Sequence, residues 1–245
     1  MINVGLIQTG TYRSNKIGMN RVVELLDKAG EKNVKIVCLP EQWLLNNEIK
    51  DFEEEFLEFK KIAKKYKMTI ITGAFYKKSK NRVKIVSPII GPDGKIIGQQ
   101  EKIHPYDYEK KTVNPGKKIK IFNTTCKFGV IICYDMVFPK VAETCVKKGA
   151  QIIFSPSRIV KRGVKPWESY VQVRSLENRV PILAANVQNR KFGGNSMIID
   201  LIDKNKVMIP KIVKAKGEMV IMKKIDLKKF EKSRKIRFTD ARKFS

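Results

Sequence analysis

Runs of aliphatic and β-branched residues alternate along the chain with stretches whose apolar positions recur every three or four residues. The first pattern predicts strands over Ile2–Gln8, Val34–Leu39, Met68–Phe75, Val83–Ile90, Ile96–Gln100, Phe128–Cys133, Gln151–Ser155, Ile182–Ala185, Ser196–Leu201 and Met219–Ile225. The second predicts helices over Lys16–Lys28, Ile49–Tyr66, Pro139–Lys148 and Trp167–Arg179, with Phe52, Phe56, Phe59 and Ile62 on one face of the second. Pro92-Asp93-Gly94 reads as a turn, so Met68 to Gln100 has the form of an antiparallel meander. Strand–helix alternation mixed with hairpins implies one α/β domain in which helices cover two mixed sheets. The stretch from His104 to Lys118 has no periodicity and contains Pro105, Pro115 and Gly116; a loop of that length inside a compact domain is either functional or disordered.

The 245 residues correspond to one or two domains at ~150 residues each. With 42% hydrophobic residues, the chain has material for a large core and is not a disordered, collagenous or disulfide-framework protein. No stretch approaches the ~20 apolar residues of a membrane span. The first residues read as a strand and not as a secretory signal, so the expected setting is a reducing cytoplasm. Cys38, Cys126, Cys133 and Cys145 form no Cys-x-x-Cys pair, which argues against a zinc knuckle. Lys and Arg number 51 against 24 Asp and Glu, a net charge of +27. Only 11 of the 51 are Arg, and the lysines are scattered over the whole chain with no basic motif rich in aromatics. That pattern suits a lysine-biased proteome better than a nucleic-acid surface.

The chemistry concentrates around Cys133. It stands at the end of the apolar run Phe128–Ile132, and Pro139 opens a helix shortly afterwards. A strand, a sharp turn and a helix lift a nucleophile above a sheet edge and aim main-chain N–H groups at an oxyanion. The alternative is an inert buried thiol, the reading that suits Cys126 and Cys145. A thiol nucleophile needs a base. The single histidine, His104, has no flanking signature of a triad and excludes multi-histidine metal sites, which leaves carboxylates and lysines. Glu41 closes the run Val34–Pro40, at the carboxyl end of a strand where open α/β sheets place ligands. Taken alone it reads more readily as a solvated loop residue, and Lys102, after Ile96–Gln100, is one of 40 lysines.

Taken together, Leu39-Pro40-Glu41, Glu101-Lys102-Ile103-His104 and Gly129-Val130-Ile131-Ile132-Cys133-Tyr134-Asp135-Met136-Val137-Phe138-Pro139, in this order, resemble the nitrilase, or carbon–nitrogen hydrolase, superfamily. The resemblance extends from the first strand to Ile225-Asp226-Leu227. It implies a four-layer αββα sandwich with two mixed β-sheets, a homodimer or larger assembly, and a Glu-Lys-Cys site that uses no metal or cofactor. On that pattern Glu41 is the general base, Cys133 the nucleophile and Lys102 the oxyanion stabiliser, aided by the main-chain N–H of Tyr134. The second glutamate that the family often places before a Pro-Gly corresponds to Glu109, ahead of Pro115-Gly116. Glu177, in Arg174-Ser175-Leu176-Glu177-Asn178, and Gly194 and Ser196, in Gly193-Gly194-Asn195-Ser196, match structural positions. Lys140 stands where the family usually has Glu, and Lys161-Arg162-Gly163-Val164 lacks the acidic and aromatic character of some members.

Cys133-Tyr134-Asp135 is similar to amidases and N-carbamoyl amine hydrolases, whereas true nitrilases tend to show Cys-Trp-Glu. The length argues against a fused synthetase domain, and the lack of apolar spans against an N-acyltransferase. The expected function is therefore hydrolysis of a small amide or N-carbamoyl amine through a thioester, with release of ammonia. Carbamoyl, ω-amide and simple aliphatic amide substrates all remain open. Trp43, Tyr106 and Arg158 are candidates for the pocket wall, and each fits a core or surface role equally well. The hydrolase domain is expected over residues 1–235, with 236–245 as a tail in which Ile236, Phe238 and Phe244 contact a partner subunit. The rival readings are a basic nucleic-acid-binding protein and a scaffold subunit, each retaining the fold without turnover.

Overall fold

A computed structural model describes residues 1–79 and 82–241. In chain order its strands begin with β1 (Ile2–Gln8), β2 (Ile36–Cys38), β3 (Thr69–Ile71), β4 (Phe75–Ser79), β5 (Arg82–Ile90) and β6 (Ile96–Glu101). They continue with β7 (Ile121–Asn123), β8 (Lys127–Val130), β9 (Ile152–Pro156), β10 (Ile182–Ala185), β11 (Met197–Lys204), β12 (Val207–Lys214) and β13 (Met219–Ile225). The helices are α1 (Asn15–Glu31), α2 (Phe52–Glu55), α3 (Leu57–Tyr66), α4 (Pro139–Lys147), α5 (Val164–Asn178) and α6 (Glu231–Ala241). One mixed sheet has the order β13-β1-β2-β3-β5-β4, with β6 also paired to β5; the other has the order β12-β11-β10-β9-β8-β7.

Three apolar clusters show how the layers stack. Alternate residues of the central strands, such as Val4 and Leu6, Ile36 and Cys38, Phe128 and Val130, Ile152 and Phe154, face each other between the two sheets. Their sequence neighbours Ile7 and Val37 point the other way, onto Val22, Leu26, Phe59 and Ile62 of α1 and α3. Ile153, Ile182 and Ala184 point outward onto Val141, Cys145, Trp167 and Val171 of α4 and α5. The result is the expected α/β architecture of two mixed sheets between helices. Strands buried on both faces read as unbroken apolar runs, which is why the central strands stand out in the sequence.

Several elements depart from the expectation, each for a local reason. The helix expected from Ile49 starts at Phe52, because the Asp51 carboxylate caps it by accepting from the Glu53 and Glu54 N–H groups. It then breaks at Phe56, whose φ of −103° and ψ of 25° separate α2 from α3. The strand expected over Met68–Phe75 is interrupted at Gly73, where φ is +99°. As a result β3 pairs with β2 in parallel and with β5, so only β4, β5 and β6 form a meander of consecutive strands. The strand expected to reach Cys133 ends at Val130. Strand β12 was unforeseen: it carries Pro210 and lysines, which a sheet tolerates at the edge position this strand occupies. The short β7 also escapes the pattern. Helix α6 runs through residue 235, with Ile236 exposed and Phe238 packed against the outer helix cluster; Phe244 lies outside the described residues.

Gly73 also sets how closely its own loop approaches the loop that carries Glu41. A Cβ there would lie 2.2 Å from the Pro40 carbonyl oxygen and 2.9 Å from the Trp43 indole. Gly73→Ala therefore combines backbone strain with a clash at buried main chain, and is expected to lower stability by about 1–3 kcal/mol, read as a depressed thermal midpoint. A midpoint equal to wild type would contradict this placement.

Candidate active site

Two strand ends and one loop converge on one cluster. Glu41 follows β2, where its N–H donates to the Ser157 carbonyl (3.2 Å) beyond β9 and so links the two sheets. Lys102 follows β6, and its N–H donates to the Ile85 carbonyl (2.8 Å) while its own carbonyl accepts from Gly116 (2.7 Å). Glu109 lies in a 3-10 turn, Asp107–Lys111, within the aperiodic loop. That loop is thus ordered, and Glu109 itself ties it down by accepting from the Tyr106 N–H at 2.7 Å. The Lys102 Nζ sits 2.9 Å from Glu41 Oε1 and 2.8 Å from Glu109 Oε2, with all three side chains no more than 3% exposed.

Cys133 starts a 3-10 turn, Cys133–Val137, that leads into α4. Its φ of +48° is unusual for a residue with a side chain and marks a strained elbow. The thiol is hydrogen-bonded to the Glu41 carboxylate and receives the Arg158 main-chain N–H. Burial and the Glu41 charge push its pKa well up, against the opposing pull of Lys102 and that N–H. Burial pulls the Lys102 ammonium down, yet Glu41, Cys133 and Glu109 outweigh it and hold its pKa well above the ordinary lysine range. Burial and the neighbouring Glu41 raise the Glu109 carboxyl, with Lys102 opposing. The cluster therefore contains a protonated thiol, a fixed ammonium and carboxylates in direct contact.

A cleft of about 630 Å³ opens from this cluster. Tyr106, Tyr134 and Arg158 line it together with Glu41, Lys102, Glu109 and Cys133, so the structure brings these expected residues to one place. The Tyr106 and Tyr134 rings meet edge to face at 5.0 Å. Trp43 is the exception and corrects the sequence reading. It is 1% exposed, stacks on Phe59 and donates from Nε1 to the Thr72 carbonyl at 2.9 Å, so its indole belongs to the core under α3.

Four supporting residues carry no periodic signal in the sequence. Asp135, 1% exposed, accepts from the main-chain N–H groups of Ile103 (3.1 Å) and His104 (2.7 Å), which fastens the Cys133 turn to the residues after Lys102. Its position two residues after Cys133 is the one hint the sequence offers. Arg174 of α5 donates to the Met136 and Val137 carbonyls and is held by Glu177 at 3.1 Å, which gives Glu177 its structural part. Gln42, at a φ of +48°, accepts from Arg158 Nη1 at 2.7 Å. Ser196 exchanges hydrogen bonds with Asn186, and its N–H donates to Gln8 Oε1 at 2.8 Å, a structural role like that of the neighbouring Gly194 turn.

Similarity to known proteins agrees with this geometry. The chain is 30% identical over 187 residues to omega-amidase NIT2 of Xenopus tropicalis, covering 69% of this chain and 68% of that protein. It is 27% identical over 231 residues to the deaminated glutathione amidase of Dictyostelium discoideum, covering 80% and 79%. The crystal structure of Saccharomyces cerevisiae Nit3, a member of branch 10 of the nitrilase superfamily, superposes with a TM-score of 0.83 at 26% identity, over 96% of this chain and 93% of that one. The model of the carbon-nitrogen hydrolase family matches residues 3–235, and the chain belongs to that family.

Proposed function

We propose that this protein is a cysteine-dependent amidase that hydrolyses the C–N bond of a small linear amide and releases ammonia, with Cys133 as nucleophile, Glu41 as general base, Lys102 as oxyanion stabiliser and Glu109 as the residue that positions Lys102. One observation carries the proposal: a single buried carboxylate, Glu41, touches both a thiol and an ammonium at the base of a cleft. The amidase relatives support the same reaction class. The exposed apolar side chains Val173 of α5 and Ile236 of α6 support the homo-oligomer that accompanies this reading.

The raised thiol pKa decides the order of proton movements. A thiol held protonated attacks only if a base removes its proton as the bond forms, and Glu41 is in contact to do so. The sulfur adds to the amide carbon, and the oxyanion develops beside the Lys102 ammonium and the Tyr134 N–H. As the C–N bond breaks, protonated Glu41 returns its proton to the departing nitrogen, leaving a thioester on Cys133. Water, deprotonated by Glu41, then attacks the thioester; the acid leaves and the thiol is restored. Each proton taken by Glu41 is given back within the same half-reaction.

The first test is of the thiols. Cys133→Ala is expected to fold and to release no ammonia from a panel of amides and N-carbamoyl amines, while Cys126→Ala and Cys145→Ala retain turnover. Activity in Cys133→Ala would end the thiol mechanism.

Lys102→Gln is expected to lose ~10²–10³ in rate, as for removal of an oxyanion donor. It also strips Glu41 and Glu109 of their shared cation. Carboxyls whose folded pKa is raised bind more protons in the native state than in the unfolded one, so stability rises as pH falls. Lys102 opposes the rise of the Glu109 carboxyl, so without it the variant should gain more thermal stability than wild type as pH is lowered from neutral toward the ordinary carboxylate range. Parallel melting curves for the two proteins would contradict the shared-cation arrangement.

The two glutamates should separate in intact-mass spectrometry with a slow substrate. Glu41→Gln should block acylation, whereas Glu109→Ala should accumulate an adduct on Cys133. The reverse pattern would exchange the two roles.

A further inference from the structure

The proposed mechanism leaves one ring beside the site unused. His104 follows Lys102 by two residues, and its half-buried imidazole lies against the Cys133–Val137 turn. Nδ1 is 2.9 Å from Asp135 Oδ1, the oxygen that also accepts the His104 N–H at 2.7 Å, while Oδ2 accepts the Ile103 N–H at 3.1 Å. An ionised carboxylate only accepts, so the ring nitrogen that faces it carries a proton. Asp135 is buried, and among the described residues no Lys or Arg pairs with it, which leaves His104 as the side chain that answers its charge. The imidazole also stacks on the Phe138 ring, with centres 3.7 Å apart at an angle of 15°, and Phe138 meets the Tyr134 ring edge to face at 5.2 Å. One side chain therefore grips the turn at its middle and at its far end. In the proposed reaction the Tyr134 N–H meets the oxyanion, and it lies between Cys133 and Asp135, so whatever holds Asp135 governs where that donor points.

We propose that His104 is a positioning residue: by donating its Nδ1 proton to the Asp135 carboxylate, the imidazole sets the Cys133 turn, and with it the Tyr134 N–H, against Lys102. The inference rests on the amidase reading and adds a residue to it. The role asks for no proton transfer by His104. A main-chain N–H at residue 104 reaches Asp135 whatever side chain stands there, whereas the Nδ1 donor and the stacking face belong to the histidine. The two can be separated. Asparagine places an amide N–H close to where Nδ1 sits and has no ring; phenylalanine keeps the ring and has no donor.

The chain has a single histidine, so its imidazole signals in two-bond 1H–15N correlation spectra of the wild-type protein need no assignment. The neutral ring is expected to carry its proton on Nδ1; a neutral ring protonated on Nε2 would overturn the proposal. Ammonia release is then measured with succinamate and with propionamide, at a temperature well below every thermal midpoint, so that a loss of stability alone leaves the rate unchanged. His104→Phe leaves a buried carboxylate one donor short and is expected to lose on the order of tenfold to a hundredfold in kcat, with KM within about twofold of wild type. His104→Asn should recover most of that loss. A wild-type kcat in His104→Phe, a loss carried by KM alone, or a His104→Asn no better than His104→Phe would each overturn the positioning role while leaving the amidase reading in place. Should His104→Phe fail to fold, the wild-type spectrum and a near wild-type kcat in His104→Asn carry the proposal, and a kcat for His104→Asn lowered by on the order of tenfold or more overturns it. If wild type hydrolyses neither these nor any other amide or N-carbamoyl amine, the amidase reading fails. The rate at which iodoacetamide alkylates Cys133, read by intact mass against Cys133→Ala, then tests the positioning alone. Slower alkylation in His104→Phe than in His104→Asn keeps it, and equal rates in wild type and both variants overturn it.

Discussion

The buried ammonium of Lys102 is the constraint around which the site is arranged. A charge at 1% exposure is tolerable only with opposite charge in contact, and Glu41 and Glu109 supply it at 2.9 and 2.8 Å. Burying three such groups is not a route to stability, because the desolvation of each ion costs several kcal/mol that their mutual attraction only partly offsets. The surrounding core must therefore hold them together. That explains why Lys102 sits at the end of a strand and Glu41 just past another, with main-chain hydrogen bonds to Ile85 and Ser157 fixing where each side chain begins. Glu109 alone comes from a loop, and it compensates by binding its own turn through the Tyr106 N–H.

A second tier of contacts keeps the Cys133 turn in register with that ammonium. The elbow at Cys133 is strained, and a strained conformation persists only where its surroundings over-determine it. Asp135 joins the elbow to the residues following Lys102, and Arg174 joins it to α5 through two carbonyls. Both anchors are charged groups bound to main chain, which makes their hydrogen bonds stronger than neutral ones. The Pro139 ring starts α4 directly after the turn, where its missing N–H has no consequence. The placement of the Cys133 thiol relative to the cation is thus set by the scaffold and not by side-chain choice within the cleft.

Legibility in the sequence followed the physical origin of each feature. Strands such as β1 and β10, governed by burial, were recognisable from their apolar runs to the residue. Breaks governed by one dihedral were not: Gly73 and Phe56 interrupt elements that pattern alone joins. Cys133 carried a local signal, because strand, turn and helix follow each other in the chain. Lys102 carried none, being chemically identical in sequence to the other lysines; only its order relative to Glu41 and Cys133 singled it out. Asp135, Arg174 and Gln42 act through main-chain groups or through another side chain distant in sequence, and such partners leave no periodicity to read. Trp43 fits a pocket wall or the core equally well in the sequence, and the difference lies in the backbone: the chain turns at Gln42 and the indole packs in the core.

The electrostatic layout also accounts for how charge can move in so dry a place. In the proposed reaction a negative charge starts on the Glu41 carboxylate, passes to sulfur as the proton is taken, and reaches the carbonyl oxygen as the new bond forms. In the structure the first two positions both lie beside the Lys102 Nζ, whose raised pKa arises from Glu41, Cys133 and Glu109 together. The total charge of the cluster stays constant throughout, so the low-dielectric surroundings resist only its redistribution and not the creation of a new ion. A preformed thiolate would lose that advantage, since it would add an anion beside Glu41 and Glu109 with Lys102 already shared between those two carboxylates. The high thiol pKa is therefore consistent with the chemistry: it keeps the resting site at one fewer negative charge and defers the thiolate to the moment when an electrophile is present to share it.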